Sequence, residues 1–295
     1  MSVVPDADRL REGNAWLVWM PVLAGLLILY LPTFLGLATS LWEEDEHAHG
    51  PLILALIVWL IWRRRAALLA APARAAPVPG FALLATGLLA YVVGRSQAVI
   101  LFEVGALMPI LAGTLLAMRG WAALRAFWFP VLFVAFMVPL PGVFVDALTG
   151  PLKQYVSEVT TQILHWAGYP IARSGVVITI GQYQLLVADA CSGLNSMFSL
   201  SALGVLFMYL TRRASLLHNA LMLASILPIA FAANIVRVLT LILITYHFGD
   251  EAGQGFLHGA AGIVLLMAAL ASLLVLDAIL ARIFAPRNPV TPRST

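Results

Sequence analysis

Residues 216–245 read LLHNALMLASILPIAFAANIVRVLTLILIT, thirty positions with a single permanent charge, that of Arg237. The hydrocarbon core of a bilayer is about 30 Å thick, and roughly 20 apolar helical residues cross it. A soluble core of ordinary size cannot bury many apolar runs of this length. The stretch therefore predicts a membrane-spanning helix, and a composition with 62% apolar and 11% charged residues extends that prediction to the whole chain of 295 residues.

Seven further apolar runs lie between charged or Gly/Pro-rich breaks. They cover residues 16–37, 48–62, 78–94, 99–118, 122–140, 192–210 and 256–284. The first run follows two arginines but lacks a small-residue cleavage site, so we expect it to remain as a helix. The sequence thus predicts an all-α polytopic membrane protein with about eight transmembrane helices.

The distribution of charge predicts the orientation of these helices. Arginines mark alternate junctions, at Arg9, Arg11, Arg63, Arg64, Arg65, Arg74, Arg119, Arg125, Arg212, Arg213, Arg282, Arg287 and Arg293. The positive-inside rule assigns these junctions, and with them both termini, to the cytoplasm. Acidic residues collect at the opposite junctions, at Glu43, Glu44, Asp45, Glu46, Asp146, Glu158, Asp189, Asp250 and Glu251. Because the arginines are scattered and no aromatic stacking surface accompanies them, nucleic acid is not an expected partner.

The longest stretch between predicted spans, residues 141–190, is expected to form a small substructure on the outer side. Apolar residues at helical spacing predict an amphipathic helix over 143–167, interrupted at Gly150-Pro151. Two strands, 176–180 and 183–187, flank Gly181-Gln182, and glycine at the first position of a two-residue loop suits a type II′ hairpin turn. The predicted organisation is a cytoplasmic segment 1–15, five helices over 16–140, this outer amphipathic helix and hairpin over 141–190, three helices over 191–284 and a cytoplasmic tail 285–295.

Cys191, Arg237 and His258 are far apart in the sequence but fall near the outer ends of the last three predicted helices. Cys191 is the only cysteine, which excludes an intrachain disulfide, and a lone cysteine in a membrane helix is often a small packed residue. At a helix N-terminus, however, unpaired N–H groups and the helix dipole stabilise a thiolate, for which His258 is a candidate general base. The alternative for His258 is an interfacial imidazole in a wet loop.

Arg237 is the most difficult residue of the chain to explain by packing alone. A guanidinium inside a membrane helix costs about 2.5–3.5 kcal/mol on the insertion scale unless it is paired or hydrated. Asn234 precedes it by three residues, so the amide and the guanidinium share one helix face. Together they are candidates for binding a substrate carbonyl or its developing oxyanion. The alternative is an arginine whose long side chain reaches the outer interface.

Four other polar residues are weaker candidates. Glu103, inside the fourth predicted span, must be neutral, paired or hydrated. Asp189 is expected to cap the sixth helix or to orient a site residue. His47 and His49, beside the acidic residues 43–46, either bind a divalent ion or belong to a solvated loop, and their spacing favours no metal geometry. We therefore expect a site that needs neither a metal nor an organic cofactor.

Four short motifs together resemble the exosortase/archaeosortase family: Ala190-Cys191-Ser192-Gly193, Asn234-Ile235-Val236-Arg237, His258 and His49-Gly50. The resemblance covers about residues 41–276. It implies an integral-membrane cysteine peptidase or transpeptidase, with a fold unrelated to that of the soluble β-barrel sortases. The family's catalytic cysteine, arginine and histidine correspond to Cys191, Arg237 and His258, and Asn234, Asp189 and His49 are the expected supporting residues.

The resemblance further implies the substrate and its location. Substrates would be exported proteins whose C-terminal tail carries a Pro-Glu-Pro motif, a transmembrane helix and basic residues. Cleavage would take place at the outer, periplasmic face of a bacterial inner membrane, so the expected partners are these proteins and membrane lipid. Because the chain ends soon after Arg293, the resemblance indicates a short bacterial exosortase.

Two other classes of function compete with a processing enzyme. A transporter or exopolysaccharide-export component would use Arg237 and Glu103 to line a path, and discontinuous helices in paired halves would favour it. The sequence shows no such internal symmetry. A non-catalytic membrane scaffold would leave Cys191 dispensable and unreactive, so thiol labelling separates the three hypotheses.

Overall fold

The chain divides into two compact units, Met1–Pro141 and Gly142–Thr295. The structure is a computed structural model that describes residues 18–43, 49–70, 74–139, 141–186, 193–211, 213, 215–249 and 256–284. The predicted terminal segments 1–15 and 285–295 lie outside the described residues. Each of the eight apolar runs predicted from the sequence coincides with helical structure in one of the two units.

The first unit is helical. It contains α1 Met20–Ala38, α2 Gly50–Arg63, α3 Arg65–Ala70, α4 Pro77–Ser96, α5 Ile100–Gly105, α6 Leu107–Arg119 and α7 Trp121–Phe133, with 3₁₀ turns at Leu41–Glu43 and Val134–Met137. The predicted fourth span is broken at Ala106, between α5 and α6. Pro109 explains this break, because it has no N–H to donate and its ring clashes with the carbonyl four residues earlier.

Helices α4 and α6 approach each other closely through glycine. A Cβ atom at Gly113 would lie 2.6 Å from the backbone nitrogen of Leu84, and one at Gly87 would lie 2.7 Å from Cγ1 of Ile110. Side chains at these two positions would push the helices apart. Small residues allow such contacts between membrane helices, where packing rather than water exclusion drives association.

The described residues of the second unit form four helices and a small sheet. Its elements are α8 Gly142–Trp166, β1 Ile171–Ser174, β2 Val177–Ile180, β3 Tyr183–Leu186, α9 Gly193–Thr211, α10 Leu216–Phe248 and α11 Phe256–Ile283. The predicted interruption at Gly150-Pro151 is wrong, since α8 continues through Pro151. A proline inside a helix removes one hydrogen bond and clashes with one carbonyl, and a long helix absorbs this by bending.

The predicted two-stranded hairpin is part of a three-stranded antiparallel sheet in the order β1-β2-β3. The turn at Gly181 agrees with the prediction: Gly181 has a φ of 56°, and Gln182 has no positive φ, as a type II′ turn requires. Gly175, with a φ of 62°, begins the second turn of the same length, between β1 and β2. Strand β1 was not predicted, because its short, polar segment shows no alternation of apolar residues.

One face of the sheet packs on α8 and α10. The apolar cluster between these elements consists of Val156, Leu164, Ile178, Ile180, Leu185, Val238, Leu241 and Ile242. Burial of apolar surface contributes about 25 cal/mol per Å², so this cluster holds the predicted outer substructure firmly on α10. The amphipathic helix and the hairpin therefore pack as one body with the segment of α10 around Val238.

Four segments among the described residues are long and apolar enough to cross a membrane: α1, α4, Ile100–Arg119 and α10. Shorter apolar helices cover Gly50–Arg63, Trp121–Met137 and Phe198–Thr211. Helix α1 leaves Leu27 63% and Ile28 73% exposed at the protein surface. Lipid is the medium in which such exposure is favourable, so the chain is a multi-pass membrane protein. The number of eight crossings stays a prediction.

Single cysteines in a Cys191→Ala background test the predicted orientation. Gln182, Glu43 and Ala75 are all exposed. We predict that Gln182→Cys and Glu43→Cys react with a membrane-impermeant thiol reagent added to intact spheroplasts, because the arginines place these positions outside. Ala75→Cys should react only after permeabilisation, which also serves as the control for its reactivity. Labelling of Ala75→Cys alone in intact spheroplasts would mean the opposite orientation.

Candidate functional site

Helix α10 carries Arg237 and presents one continuous buried stripe. The stripe recurs every three or four residues, as helical periodicity requires: His218, Met222, Ile226, Ala230, Asn234, Arg237, Val238, Leu241, Ile242 and Thr245. The helix begins after Ser215, whose hydroxyl accepts the backbone N–H of His218 at 3.3 Å. Asn234 and Arg237 therefore lie on the face of α10 that the protein itself covers.

The side chain of Arg237 is buried to an extent unusual for arginine. Arg237 is 6% exposed and Asn234 is 7% exposed, and both residues make an interaction within the protein. An arginine that reaches the interface keeps its charged group in water, so that alternative does not account for this burial. A buried guanidinium is costly to maintain and marks a candidate functional position.

Helix α8 and the sheet, the substructure predicted to lie on the outer side, pack on the same segment of α10. Val238, the neighbour of Arg237, is completely buried in the apolar cluster formed by the sheet, α8 and α10. Ile178 and Leu185 of the sheet belong to this cluster. Apolar packing thus holds the backbone around Arg237 in place. A side chain that must be oriented toward a reacting group requires such support.

Helices α9, α10 and α11 contact one another. The surroundings of Gly204 show which residues of the three helices lie at the same height along them. A Cβ atom at Gly204 of α9 would lie 2.9 Å from Ile226 of α10 and 3.4 Å from Leu273 of α11. At 1.5 Å per residue, the first residue of α9, Gly193, lies about 16 Å from this level, and Arg237 also lies about 16 Å from it. His258 lies about 22 Å away in the same direction. The backbone therefore brings the start of α9, Arg237 and the start of α11 to the same end of the three helices.

The remaining parts of the predicted site are not described at side-chain level. Cys191 and Asp189 lie outside the described residues, two and four positions before α9 begins. His258 lies in the first turn of α11, and its side chain is outside the described part. A contact between the thiol, the guanidinium and the imidazole therefore stays a prediction.

His49 belongs to the other unit, directly before α2. Its carbonyl oxygen accepts the N–H of Ile53 at 3.0 Å and so closes the first helical turn. A Cβ atom at the following Gly50 would clash with the indole of Trp42, which explains glycine at this position. Among the described residues, no group of three or more His, Cys, Asp or Glu could hold a metal ion, and His47 lies outside them.

Glu103 is buried and paired, one of the states that the sequence allowed. Its Oε1 accepts hydrogen bonds from Thr33 at 2.6 Å and from Arg95 at 2.8 Å. The hydroxyl of Tyr91 lies 3.1 Å from that of Thr33 and donates to the carbonyl of Leu29 at 2.6 Å. These hydrogen bonds satisfy the buried carboxylate and join α1, α4 and α5. A structural role therefore accounts for Glu103 without a transport path.

Sequence reasoning missed a second buried carboxylate, Asp277 of α11. Arg213 donates to its Oδ2 from Nη2 at 2.6 Å and to its Oδ1 from Nε at 3.2 Å, and His218 Nε2 lies 2.8 Å from Oδ1. The hydrogen bond to Asp277 and the attraction of its charge raise the pKa of Arg213, so the pair further favours the charged guanidinium. One feature of the sequence could have identified this carboxylate: Asp277 is the only acidic residue in the span 256–284. The cluster joins α10, α11 and the loop before α10.

We predict that Asp277→Asn destabilises the protein, because His218 is 2% exposed and loses its charged acceptor. Leaving a buried polar group poorly satisfied costs about 1–3 kcal/mol. Thermal unfolding of the detergent-purified protein should show a lower midpoint. The matched control is Glu158→Gln, which removes an exposed ion pair of 3.8 Å with Arg173 and should change stability by less than about 0.5 kcal/mol. Equal midpoints for Asp277→Asn and the control would contradict a structural role for this cluster.

Comparison with known proteins adds one finding. The family model described as transmembrane exosortase matches residues 41–275, a range that includes Cys191, Arg237 and His258. No curated protein and no solved structure matches the chain.

Proposed function

The chain belongs to the transmembrane exosortase family, and from this premise we propose that it is a thiol-dependent transpeptidase that removes C-terminal sorting signals from exported proteins. Membership of the family supports a membrane-embedded, sortase-like enzyme. Cysteine catalysis, the type of sorting signal and the face of the membrane are our proposals. Cysteine catalysis rests on the placement of Cys191, Arg237 and His258 along the chain. The type of sorting signal rests on the family resemblance, and the face of the membrane rests on the distribution of the arginines.

The proposed chemistry assigns one role to each of the three residues. His258 accepts the proton of the Cys191 thiol, and the sulfur attacks the carbonyl carbon of the scissile peptide bond. Arg237, supported by Asn234, stabilises the oxyanion of the tetrahedral intermediate. The intermediate then collapses to a thioester, and His258 returns the proton to the leaving amine. An amine or water attacks the thioester and regenerates the thiol.

The burial of Arg237 is the observation that carries this proposal. The guanidinium lies inside the protein, on a helix held by the outer substructure, and at the same end of the three-helix group as the start of α9 and of α11. A fixed cation away from bulk water interacts more strongly with developing negative charge than an exposed one does. Asp189 and His49 remain proposed supporting residues.

The substrate that we propose is an exported protein anchored by its own C-terminal tail. That tail carries a Pro-Glu-Pro motif, a transmembrane helix and a basic cluster, and the cleavage occurs at the periplasmic face of the bacterial inner membrane. Both termini of the enzyme are then cytoplasmic, in agreement with the positions of the arginines. Lipid surrounds both the enzyme and the substrate helix.

Co-expression with a tagged protein that bears such a tail tests the proposal. We expect a shorter product when the enzyme and an intact Pro-Glu-Pro motif are both present, and mass spectrometry of the product locates the new C-terminus. A tail with Ala-Ala-Ala in place of the motif is the matched control. An uncleaved tail in membranes that contain the enzyme, or equal cleavage of both tails, would contradict the proposed function.

A further inference from the structure

The sheet of the second unit has an open edge. In the order β1-β2-β3, the strand β3 has one neighbouring strand among the described residues. Its residues Gln184 and Leu186 are exposed, Leu186 to 40%. Edge strands present unpaired N–H and C=O groups, and proteins usually cover such edges to avoid unwanted pairing. An edge that no described strand covers, with an exposed leucine, is suited to binding an extended peptide.

The register identifies the backbone groups of β3 that face outward. The N–H of Gly181 donates at 3.2 Å to the carbonyl of the residue that precedes β1. Gly181 therefore directs its N–H toward β1. Because the direction of the N–H and C=O groups alternates along a strand, those of Ile180 point toward β3, where Tyr183 is its partner. By the same alternation along β3, the N–H and C=O groups of Gln184 and Leu186 point away from β2.

The opposite edge of the sheet is already engaged by the chain itself. The N–H of Ile171 donates to the carbonyl of Tyr169 at 2.9 Å, and α8 contacts β1. Arg173 lies 3.8 Å from Glu158 of α8 and 3.5 Å from the carbonyl of Gly175. The edge of β3 is therefore the better candidate for an added strand.

The open edge is attached to the part of the protein that carries the proposed site. Leu185 of β3 is buried in one apolar cluster with Val238, the neighbour of Arg237. Along the chain, Cys191 follows the last residue of β3 by five positions. Five residues span at most about 17 Å, so a peptide bound along β3 lies within reach of the segment that bears the proposed nucleophile.

We propose that the outer edge of β3 binds the substrate as an added β-strand, in which the extended segment beside the scissile bond pairs with the N–H and C=O groups of Gln184 and Leu186. This inference rests on the proposed function and names the recognition element for its substrate. Residues two positions apart in a strand direct their backbone groups to the same side, and proline has no N–H. Two prolines separated by one residue therefore leave one side of the strand without these two donors. A Pro-Glu-Pro segment can therefore turn that side away from β3 and still pair through its other side.

Proline substitutions on the enzyme test the pairing directly. Gln184→Pro removes an outward N–H without removing a bond to β2, and strand geometry suits both proline and the residue before it. We expect cleavage in proteoliposomes to lose about tenfold in kcat/KM, mostly through KM, the scale of one hydrogen bond. Arg173→Pro, which removes an outward N–H from the opposite edge, is the matched control and should retain wild-type kcat/KM.

Crosslinking tests the inference independently of catalysis. In a Cys191→Ala background, Gln184→Cys is combined with single cysteines at successive positions of the substrate segment. We expect disulfides at every second substrate position, the period of a strand, whereas uniform crosslinking or a period of three to four would overturn the inference. Cleavage by Gln184→Pro equal to that by Arg173→Pro would also overturn it while leaving the proposed function intact. Absence of cleavage by the wild-type enzyme would instead contradict the proposed function, and the crosslinking pattern would still show whether β3 binds the tail.

Discussion

Cys191→Ala is expected to abolish cleavage of a tail-bearing substrate while the protein remains in the membrane at the wild-type level. The thiolate is the proposed nucleophile, and removal of a nucleophile that acts together with a base typically costs about 10⁶ in kcat. Cys191→Ser should be nearly as inactive, because a hydroxyl is far less acidic than a thiol with a pKa near 8.5. Because cysteine, serine and alanine are all small, either substitution should change the free energy of unfolding by less than about 1.5 kcal/mol.

The measurement is the fraction of substrate cleaved at matched membrane abundance of the enzyme. Ser199→Ala is the matched control, since Ser199 is a half-buried small residue of α9, the helix that begins two positions after Cys191. It should cleave as the wild type does. Substantial cleavage by Cys191→Ala would rule out a thioester mechanism, and a parallel loss in Ser199→Ala would attribute the effect to packing of the helix.

Arg237→Lys is expected to reduce cleavage by about 10²-fold or more, the scale of a lost oxyanion donor. Lysine retains the positive charge but lacks the planar fork that donates to an oxyanion and a second acceptor together. Because Arg237 is 6% exposed, solvent does not compensate for the lost hydrogen bonds. The loss should appear in kcat, with substrate binding retained, as for an interaction made in the transition state.

Kinetics in proteoliposomes measure the loss in kcat, and co-purification of the uncleaved substrate measures whether binding is retained. Arg173→Lys makes the same replacement at a more exposed arginine of the same unit and should be neutral. Asn234→Ala should show a smaller loss than Arg237→Lys if the shared face of α10 serves the reaction. Near-wild-type cleavage by Arg237→Lys would reduce Arg237 to a charged anchor and leave Cys191 and His258 to explain the chemistry.

The burial of Arg237 illustrates the limit of prediction at the candidate site. The spacing of Asn234 and Arg237 was enough to place both on one helix face, because side-chain direction within a helix is a local property. Whether that face met lipid, water or protein depended on the elements that pack against α10, among them a sheet from more than fifty residues earlier in the chain. No local pattern contains that information.

The sequence by itself determined the membrane class, the helical character of the apolar runs and the turn at Gly181, since each depends on hydropathy or backbone preference over a short stretch of the chain. Tertiary structure alone decided that β1 joins the hairpin and that Glu103 binds Thr33, 70 positions away in the sequence. It also decided that Asp277 binds His218, at a separation of 59 positions. The physical reason is that a buried polar group must find a partner, and which partner it finds depends on which helices pack together.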